Sequence, residues 1–320
     1  MSRILLTGAA GFAGAHIAEH FIERTDWEIV SLDALTYAGR LDRLAHLPAK
    51  RIRALYHDFG EPLPDELLKE LDGVQYIIHN GAESHVGRSL VNPGTFVRSN
   101  VIGTFNILEA ARRLQPDTFL YVSTDEVFGP ADDVSYKESD PLRPSNPYSA
   151  SKAGGEMLVQ SYHAAFGLPT LVSRTMNMFG ERQHPEKFVP MTVRKILDGQ
   201  TVDIHVGPDG RPGRRQWLHA STQAAALLFM LGFGRRGEAY HVGGIEKNNA
   251  EMAALIAEAA GRRLLSRPVD VLAEHGGHDL AYEIDDSKLR ALGWQPPARI
   301  ESALRATVKW TAAHPEWLVD

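Results

Sequence analysis

The residues best suited to chemistry are Ser123-Thr124-Asp125-Glu126, at the end of an apolar run, and Tyr148-Ser149-Ala150-Ser151-Lys152, at the opening of a helical stretch. They offer a phenol, an ammonium, a hydroxyl and two adjacent carboxylates, enough acid and base for an oxidation coupled to an elimination. A lone hydride transfer has no use for both acids. Tyr148 and Lys152 stand four apart, so on a helix they share one face. Either motif alone is common in turns and helices. Their joint occurrence behind a nucleotide fingerprint is what gives them weight.

That fingerprint lies at the N-terminus, where Arg3-Ile4-Leu5-Leu6 reads as a buried strand, followed by Thr7-Gly8-Ala9-Ala10-Gly11-Phe12-Ala13-Gly14 and a helical pattern through Phe21. Gly8 permits a tight turn, Gly11 lets backbone approach a pyrophosphate, and Gly14 allows close packing of helix on strand. Amides at the helix start, beginning with Phe12, would face the phosphates. The next strand, Glu28 to Leu32, ends at Asp33, whose carboxylate can accept both ribose hydroxyls of NAD and repels a 2′-phosphate. Arg40 and Arg43 follow close behind and temper that preference.

The elements that must position these groups alternate short apolar runs with amphipathic stretches. This predicts an α/β protein, a Rossmann-type doubly wound parallel sheet with a smaller C-terminal lobe. Expected strands are Arg3 to Leu6, Glu28 to Leu32, Ile52 to Tyr56, Tyr76 to His79, Phe119 to Val122 and Pro169 to Ser173; expected helices include Asn92 to Leu114 and Tyr148 to Phe166. Gly8, Asp33, Asp58, Gly81 and Thr124 then fall beyond the carboxyl ends of strands, where such sheets bind ligands. After about Arg174 the texture changes to Gly-, Pro- and Arg-rich loops, densest at Pro208 to Arg215. We read residues 1–174 as a coenzyme-binding domain carrying the catalytic groups. Residues 175–320 read as a substrate-binding lobe interleaved with it.

Composition narrows the class. The 320 residues can bury a large core, and with no Cys the chain has neither disulfides nor thiolate metal sites, which fits a cytoplasmic enzyme. A formal charge of −6 gives no basic field for nucleic acid. No signal peptide and no membrane-spanning run is expected. His57, His79, His163 and His205 lack the spacing of a zinc site, so no metal is expected.

These residues resemble the extended short-chain dehydrogenase/reductases and, more narrowly, the dTDP-glucose 4,6-dehydratases. The resemblance runs through Leu32 to Gly39, Ala82-Glu83-Ser84-His85-Val86, Asn100 to Asn106, Ser123 to Val127, Pro185-Glu186-Lys187 and Gly277-His278-Asp279. It implies NAD as coenzyme, with Ala82 and Asn100 joining Gly8, Gly11, Phe12, Gly14, Asp33, Asp58, Tyr148 and Lys152 around it. It implies a nucleotide-diphosphate hexose as substrate, with Ser84 and His85 at the sugar, Asn177, Lys187 and Arg215 near the diphosphate, and His278 beside the nucleotide. Tyr148 would take the 4-hydroxyl proton, helped by Lys152. Glu126 would remove the C5 proton, Asp125 would protonate the departing 6-hydroxyl and Thr124 would orient the 4-oxygen. The implied assembly is a homodimer paired through two long helices.

Gly87, Phe128 and Ala281 stand where these dehydratases usually place Asp, Tyr and Arg, and Met176 and Met178 flank Asn177 where the family is more polar. A sugar nucleotide other than dTDP-glucose is therefore an alternative substrate. A 4-epimerase or reductase of the same fold, or a coenzyme-binding sensor without turnover, are the rival functions.

Overall fold

The computed structural model describes residues 2–131, 134–270, 281–297 and 299–319. Its central sheet has seven strands: β1 (Arg3–Thr7), β2 (Glu28–Asp33), β3 (Ile52–Tyr56), β4 (Tyr76–His79), β5 (Thr118–Thr124), β6 (Thr170–Thr175) and β10 (Ala239–Val242). Their order is β10-β6-β5-β4-β1-β2-β3, and every neighbouring pair is parallel. The order reverses between β1 and β4, so a crevice opens there beyond the carboxyl ends. This is the doubly wound Rossmann-type sheet expected from the sequence. Its last strand comes from the later part of the chain.

Apolar side chains fill both faces, as buried parallel strands require. On one face Ala15, Ala18 and Phe21 of the helix Phe12–Arg24 share a cluster with Ala224, Leu227 and Leu231 of the helix Ala220–Phe233. On the other, Ile107, Leu108 and Ala111 share one with Val159 and Tyr162. Each fully buried Leu, Ile, Val or Phe among them contributes roughly 1.5–3 kcal/mol.

A third cluster, which includes Phe179, Val193, Trp217, Ile256 and Leu304, holds the remaining helices against two small sheets. One contains β7 (Asn177–Phe179), β9 (Arg214–His219) and β11 (Ile245–Asn248); the other pairs β8 (Val202–Val206) with β12 (Ser266–Asp270). The loop expected over Pro208 to Arg215 is shorter than that, because Arg214 and Arg215 already belong to β9 and pair with Asn248 and Lys247. The Gly and Pro content marked the turn but hid the strand that follows it.

The helix Pro147–Phe166 begins with Asn146 and Ser149 capping each other's backbone and Pro147 in the first turn, and ends at Gly167 with φ 69°. Gly155 lets it settle closely, since a Cβ there would lie 2.4 Å from the Tyr121 hydroxyl and 2.7 Å from the Asn100 carbonyl. The expected helix from Asn92 is present as Pro93–Phe96, Val97–Ile102 and Gly103–Leu114, and its middle segment is a π-helical turn. Such turns recur at functional sites. This one carries Asn100.

Candidate functional site

A cleft of about 410 Å³ opens at the crevice, lined by Gly8, Gly11, Phe12, Asp33, Asp58, Ala82, Ser84, Thr124, Asp125, Glu126, Tyr148, Lys152, Asn177 and Lys187 among others. Most of the sequence-predicted residues thus meet in one place, although they come from separate strand ends and loops and from the helix Pro147–Phe166.

Its floor is the turn after β1. Gly8 has φ 70°, and a Cβ on Gly14 would lie 2.0 Å from the Gly8 carbonyl, so Gly14 acts by packing rather than by lining the cleft. Gly11 caps the first helix with no side chain over the opening amides and no acid in the first turn, which leaves the positive end of the helix for a phosphate. Asp33 is buried; its carboxylate accepts from the amides of Ala10 (2.9 Å) and Leu35 (2.7 Å). Burial pushes its pKa up and the two amides pull it back.

Both arginines that tempered the NAD preference are committed elsewhere. Arg43 is buried and donates to the carbonyls of Ala10 (2.9 Å), Ala38 (2.5 Å) and Arg182 (3.0 Å). Arg40 pairs with Asp42 at 2.6 Å and stacks over Trp317 at 4.0 Å. Asp58 also lines the cleft, with its charge held by Arg98 at 2.6 Å.

Asn100 does not reach the cleft wall. Its carboxamide is used by the Glu83 amide (2.9 Å), the Glu83 carbonyl (2.9 Å) and the Ser151 hydroxyl (2.9 Å), so it fixes the Ala82–Glu83 segment beside the helix of Tyr148. Behind it runs a buried polar column. Thr104 donates to the Asn100 carbonyl (2.6 Å), so His79 Nε2–H donates to Thr104 (3.1 Å) and Nδ1 accepts from Thr7 (2.7 Å). Burial holds His79 neutral, with a pKa of about 3. Thr7 also accepts from the Gly81 amide at 2.9 Å, which links the glycine-rich turn to the π-helical turn.

The acid–base groups stand at the ends of β5 and of the helix Pro147–Phe166. Thr124 ends β5, donates to Asp125 Oδ1 (2.9 Å), accepts from the Glu126 amide (3.3 Å) and hydrogen-bonds the Tyr148 phenol. Asp125 is buried, and its Oδ2 has no hydrogen-bond partner among the described residues. Burial first, and the neighbouring Glu126 second, raise its pKa to about 7. Asn146 Nδ2 approaches Glu126 Oε2 at 3.4 Å.

Tyr148 sits in the first turn of its helix, and burial together with Glu126 pushes its pKa well above the ordinary value. Lys152 is buried with Nζ donating to the Val122 carbonyl (2.7 Å) and lying over the Tyr121 ring (4.1 Å); burial lowers its pKa to about 7. The register of β5 on β6 sets Thr175 beside Thr124. Ser123 Oγ, Thr175 Oγ1 and Gln183 Oε1 line the cleft and, like Asp125 Oδ2, are buried with no partner among the described residues.

On the substrate side, Lys187 reaches the Ser84 carbonyl at 3.4 Å, and burial lowers its pKa. His85 is not among the residues lining the cleft: it caps the short helix Val86–Val91, accepting from the Arg88 amide (3.2 Å), and faces Glu186. Arg215 lies over the Tyr282 ring at 4.7 Å, outside the cleft lining but close enough for its charge to act on Asp125. His278 lies outside the described residues. Sequence reasoning passed over Tyr37, Arg43, Glu83, Gln183 and Glu186 as site residues. Tyr37, Glu83 and Glu186 stood in motifs already quoted, and Arg43 was visible only as a charge.

The residues fit a dinucleotide: a glycine turn too tight for side chains, helix amides without a side-chain cap, an acid at the second strand and, at the reacting end, polar atoms unpartnered among the described residues. The sequence profile of the NAD dependent epimerase/dehydratase family matches residues 4–243. The low-salt glycan biosynthesis protein Agl12 of Haloferax volcanii is 41% identical over 310 residues, covering 96% of this chain and 97% of that protein. A dTDP-glucose 4,6-dehydratase of an Actinoplanes species is 39% identical, covering 98% and 99%. The crystal structure of the dTDP-glucose 4,6-dehydratase DesIV from Streptomyces venezuelae, with NAD and TYD bound, superposes with a TM-score of 0.91 at 37% identity, covering 98% of each chain. Strand order, glycine turn, acid–base cluster and these likenesses agree: the chain belongs to the NAD dependent epimerase/dehydratase family.

Proposed function

We propose that the protein is an NAD-dependent hydro-lyase that converts a nucleotide-diphosphate hexose to its 4-keto-6-deoxy derivative. The observation that carries this reading is Asp125: a buried carboxyl with one oxygen unpartnered among the described residues and a pKa raised to about 7, next to a second acid, in the cleft of Tyr148 and Lys152. A carboxyl that holds its proton near neutrality is a general acid, and an adjacent carboxylate is a base; pKa values pushed apart in this way assign the two roles.

NAD, when bound, would supply the hydride acceptor and donor. Gly8, Gly11 and the first amides of the helix from Phe12 would hold its pyrophosphate and Asp33 its ribose, with Asp58 and Ala82 on the adjoining walls. Tyr148 takes the proton of the sugar 4-hydroxyl at its phenolic oxygen. In the ligand-free protein that oxygen is protonated, because burial and two nearby acids oppose its charge and the Thr124 hydrogen bond offsets them only in part, so the phenol must first lose its own proton to act as the base. Thr124 orients the 4-oxygen. Glu126 removes the C5 proton that the new ketone has acidified, Asp125 Oδ2 gives its proton to the leaving 6-hydroxyl, and Glu126 returns its proton to C5 as C6 takes the hydride back. Ser84, Asn177, Lys187 and Arg215 serve the sugar and diphosphate.

Residues 1–174 form the coenzyme part and residues 175–320 the substrate part, interleaved through the return of β10 to the sheet. A homodimer belongs to the same reading: Val97, Ile102, Phe105 and Met157 are exposed on the two long helices. Such an apolar face suits a shared four-helix contact. A cytoplasmic location fits a chain without cysteine.

Incubation with dTDP-glucose, UDP-glucose and their N-acetyl relatives, followed by product mass, tests the activity. Loss of one water supports the reading, whereas unchanged mass with altered stereochemistry, or no reaction, rejects it.

A further inference from the structure

Residues 181–187, which follow β7, cross to the loop that follows β2, and two sets of contacts join them. The deeper one is Arg43, which donates to the Arg182 carbonyl (3.0 Å) and to the Ala10 carbonyl of the glycine turn (2.9 Å). The outer one centres on Glu186. The Tyr37 hydroxyl donates to Glu186 Oε1 (2.8 Å), Arg88 Nε approaches Glu186 Oε2 (3.3 Å), and the Arg88 guanidinium lies 3.7 Å from the Tyr37 ring centre. His184 packs edge-on against the same ring at 5.3 Å.

Tyr37, His184 and Glu186 line the cleft together with Gly8, Asp33 and Tyr148, so these contacts join two of its walls. Both joined segments hold a side-chain-bearing residue in the left-handed region, Leu35 at φ 46° and Arg182 at φ 61°. Such strain persists where surrounding contacts over-determine the backbone.

We propose that Tyr37, Arg88 and Glu186 form a clasp across the coenzyme groove that keeps NAD from leaving between turnovers. The inference rests on the NAD-dependent reading above. A reaction that takes a hydride at one carbon and returns it at another leaves its coenzyme in the starting oxidation state. Exchange is then unnecessary, and release only produces an inactive protein. Two side chains from two other segments meet on the Glu186 carboxylate, and this junction must part for a dinucleotide to pass. Glu186 bears the charge; Tyr37 and Arg88 act through it, as positioning residues.

The test is the rate at which NAD-loaded protein, with no sugar present, releases NAD into alcohol dehydrogenase and ethanol, which reduce whatever is set free. Glu186→Ala is expected to release NAD at least about tenfold faster than the parent, the equivalent of one lost charge-assisted hydrogen bond. Tyr37→Phe, which removes a single hydroxyl and keeps the ring, is expected to do so several-fold, and Glu186→Gln, which still accepts from Tyr37, to lie between parent and Glu186→Ala. Should Glu186→Ala fail to fold, Tyr37→Phe carries the test alone.

Parent-like release in the folded variants overturns the clasp, as does lowered thermal stability of the NAD-stripped variants with unchanged release. Because no sugar is used, failure of the dehydration reading leaves this result intact. A protein that takes up no NAD overturns both.

Discussion

Arg174 and Glu156 meet side chain to side chain, Nη2 to Oε1 at 2.6 Å, with both shut away from water. Glu156 lies one helical turn beyond Lys152, and Arg174 also donates to the Glu138 carbonyl (3.1 Å) and lies over the Phe128 ring (4.9 Å), which closes the turn begun by Asp125. The pair therefore ties the Tyr148–Lys152 helix to the acid turn through the protein interior. Removing one partner strands a buried charge, so Arg174→Met is expected to cost about 3–5 kcal/mol in urea unfolding. Adding Glu156→Leu should recover most of that loss.

Glu126→Gln removes a base without removing the Tyr148–Lys152 pair. We expect oxidation at C4 to proceed and elimination to stop. In a single turnover, absorbance of the reduced coenzyme should rise and persist while product mass shows no loss of water. Normal dehydration by this variant would contradict the assignment of the base.

Asp125 gives a signed dependence on pH. Its carboxyl titrates near 3.8 when unfolded and at about 7 in the fold, so the folded state binds the extra proton between those values and stability falls as pH rises through that window. Asp125→Asn removes the effect: variant and parent should differ little in this respect below pH 3.8, with the variant gaining by roughly 1.4 kcal/mol per pH unit up to about 7. Thermal melts across this range check the sign. Loss of the same proton, and of the Lys152 charge with its pKa of about 7, should make kcat/KM of the parent fall on the alkaline side of neutrality.

Coenzyme choice is the next expectation. With Arg43 spent on three carbonyls and Arg40 on Asp42 and Trp317, neither guanidinium stands ready for a 2′-phosphate. Asp33→Ala should weaken NAD binding about 10- to 100-fold, the loss of one or two hydrogen bonds to a charged group. NADP should gain only a few-fold. Calorimetric titration with both coenzymes measures the two changes.

Periodicity and turn chemistry are local signals, and they were enough to place β1 to β6, the glycine turn and both acid–base motifs. The later strands were harder to see. β10 is a four-residue run that earns its place by pairing with β6 across a long stretch of chain, and Arg214 and Arg215 looked like loop because charge and glycine surround them. Three readings of single residues moved for the same reason. His85 and Asn100 went to capping and backbone duties, and Arg43 to carbonyls, because which partner a polar side chain finds depends on long-range packing. The clasp residues sat inside recognisable motifs, yet their mutual contact spans 149 positions from Tyr37 to Glu186.

The π-helical turn at Val97–Ile102 makes the helix length here a functional quantity. It holds a residue surplus to straight α-helical winding. Deleting a single position within it would close the bulge into ordinary α-helix and leave the turns on either side in register. The carboxamide now clamped on the Glu83 backbone would swing off its target, while the apolar stripe farther along stayed seated. The segment can thus tolerate a change of side chain far better than a change of count.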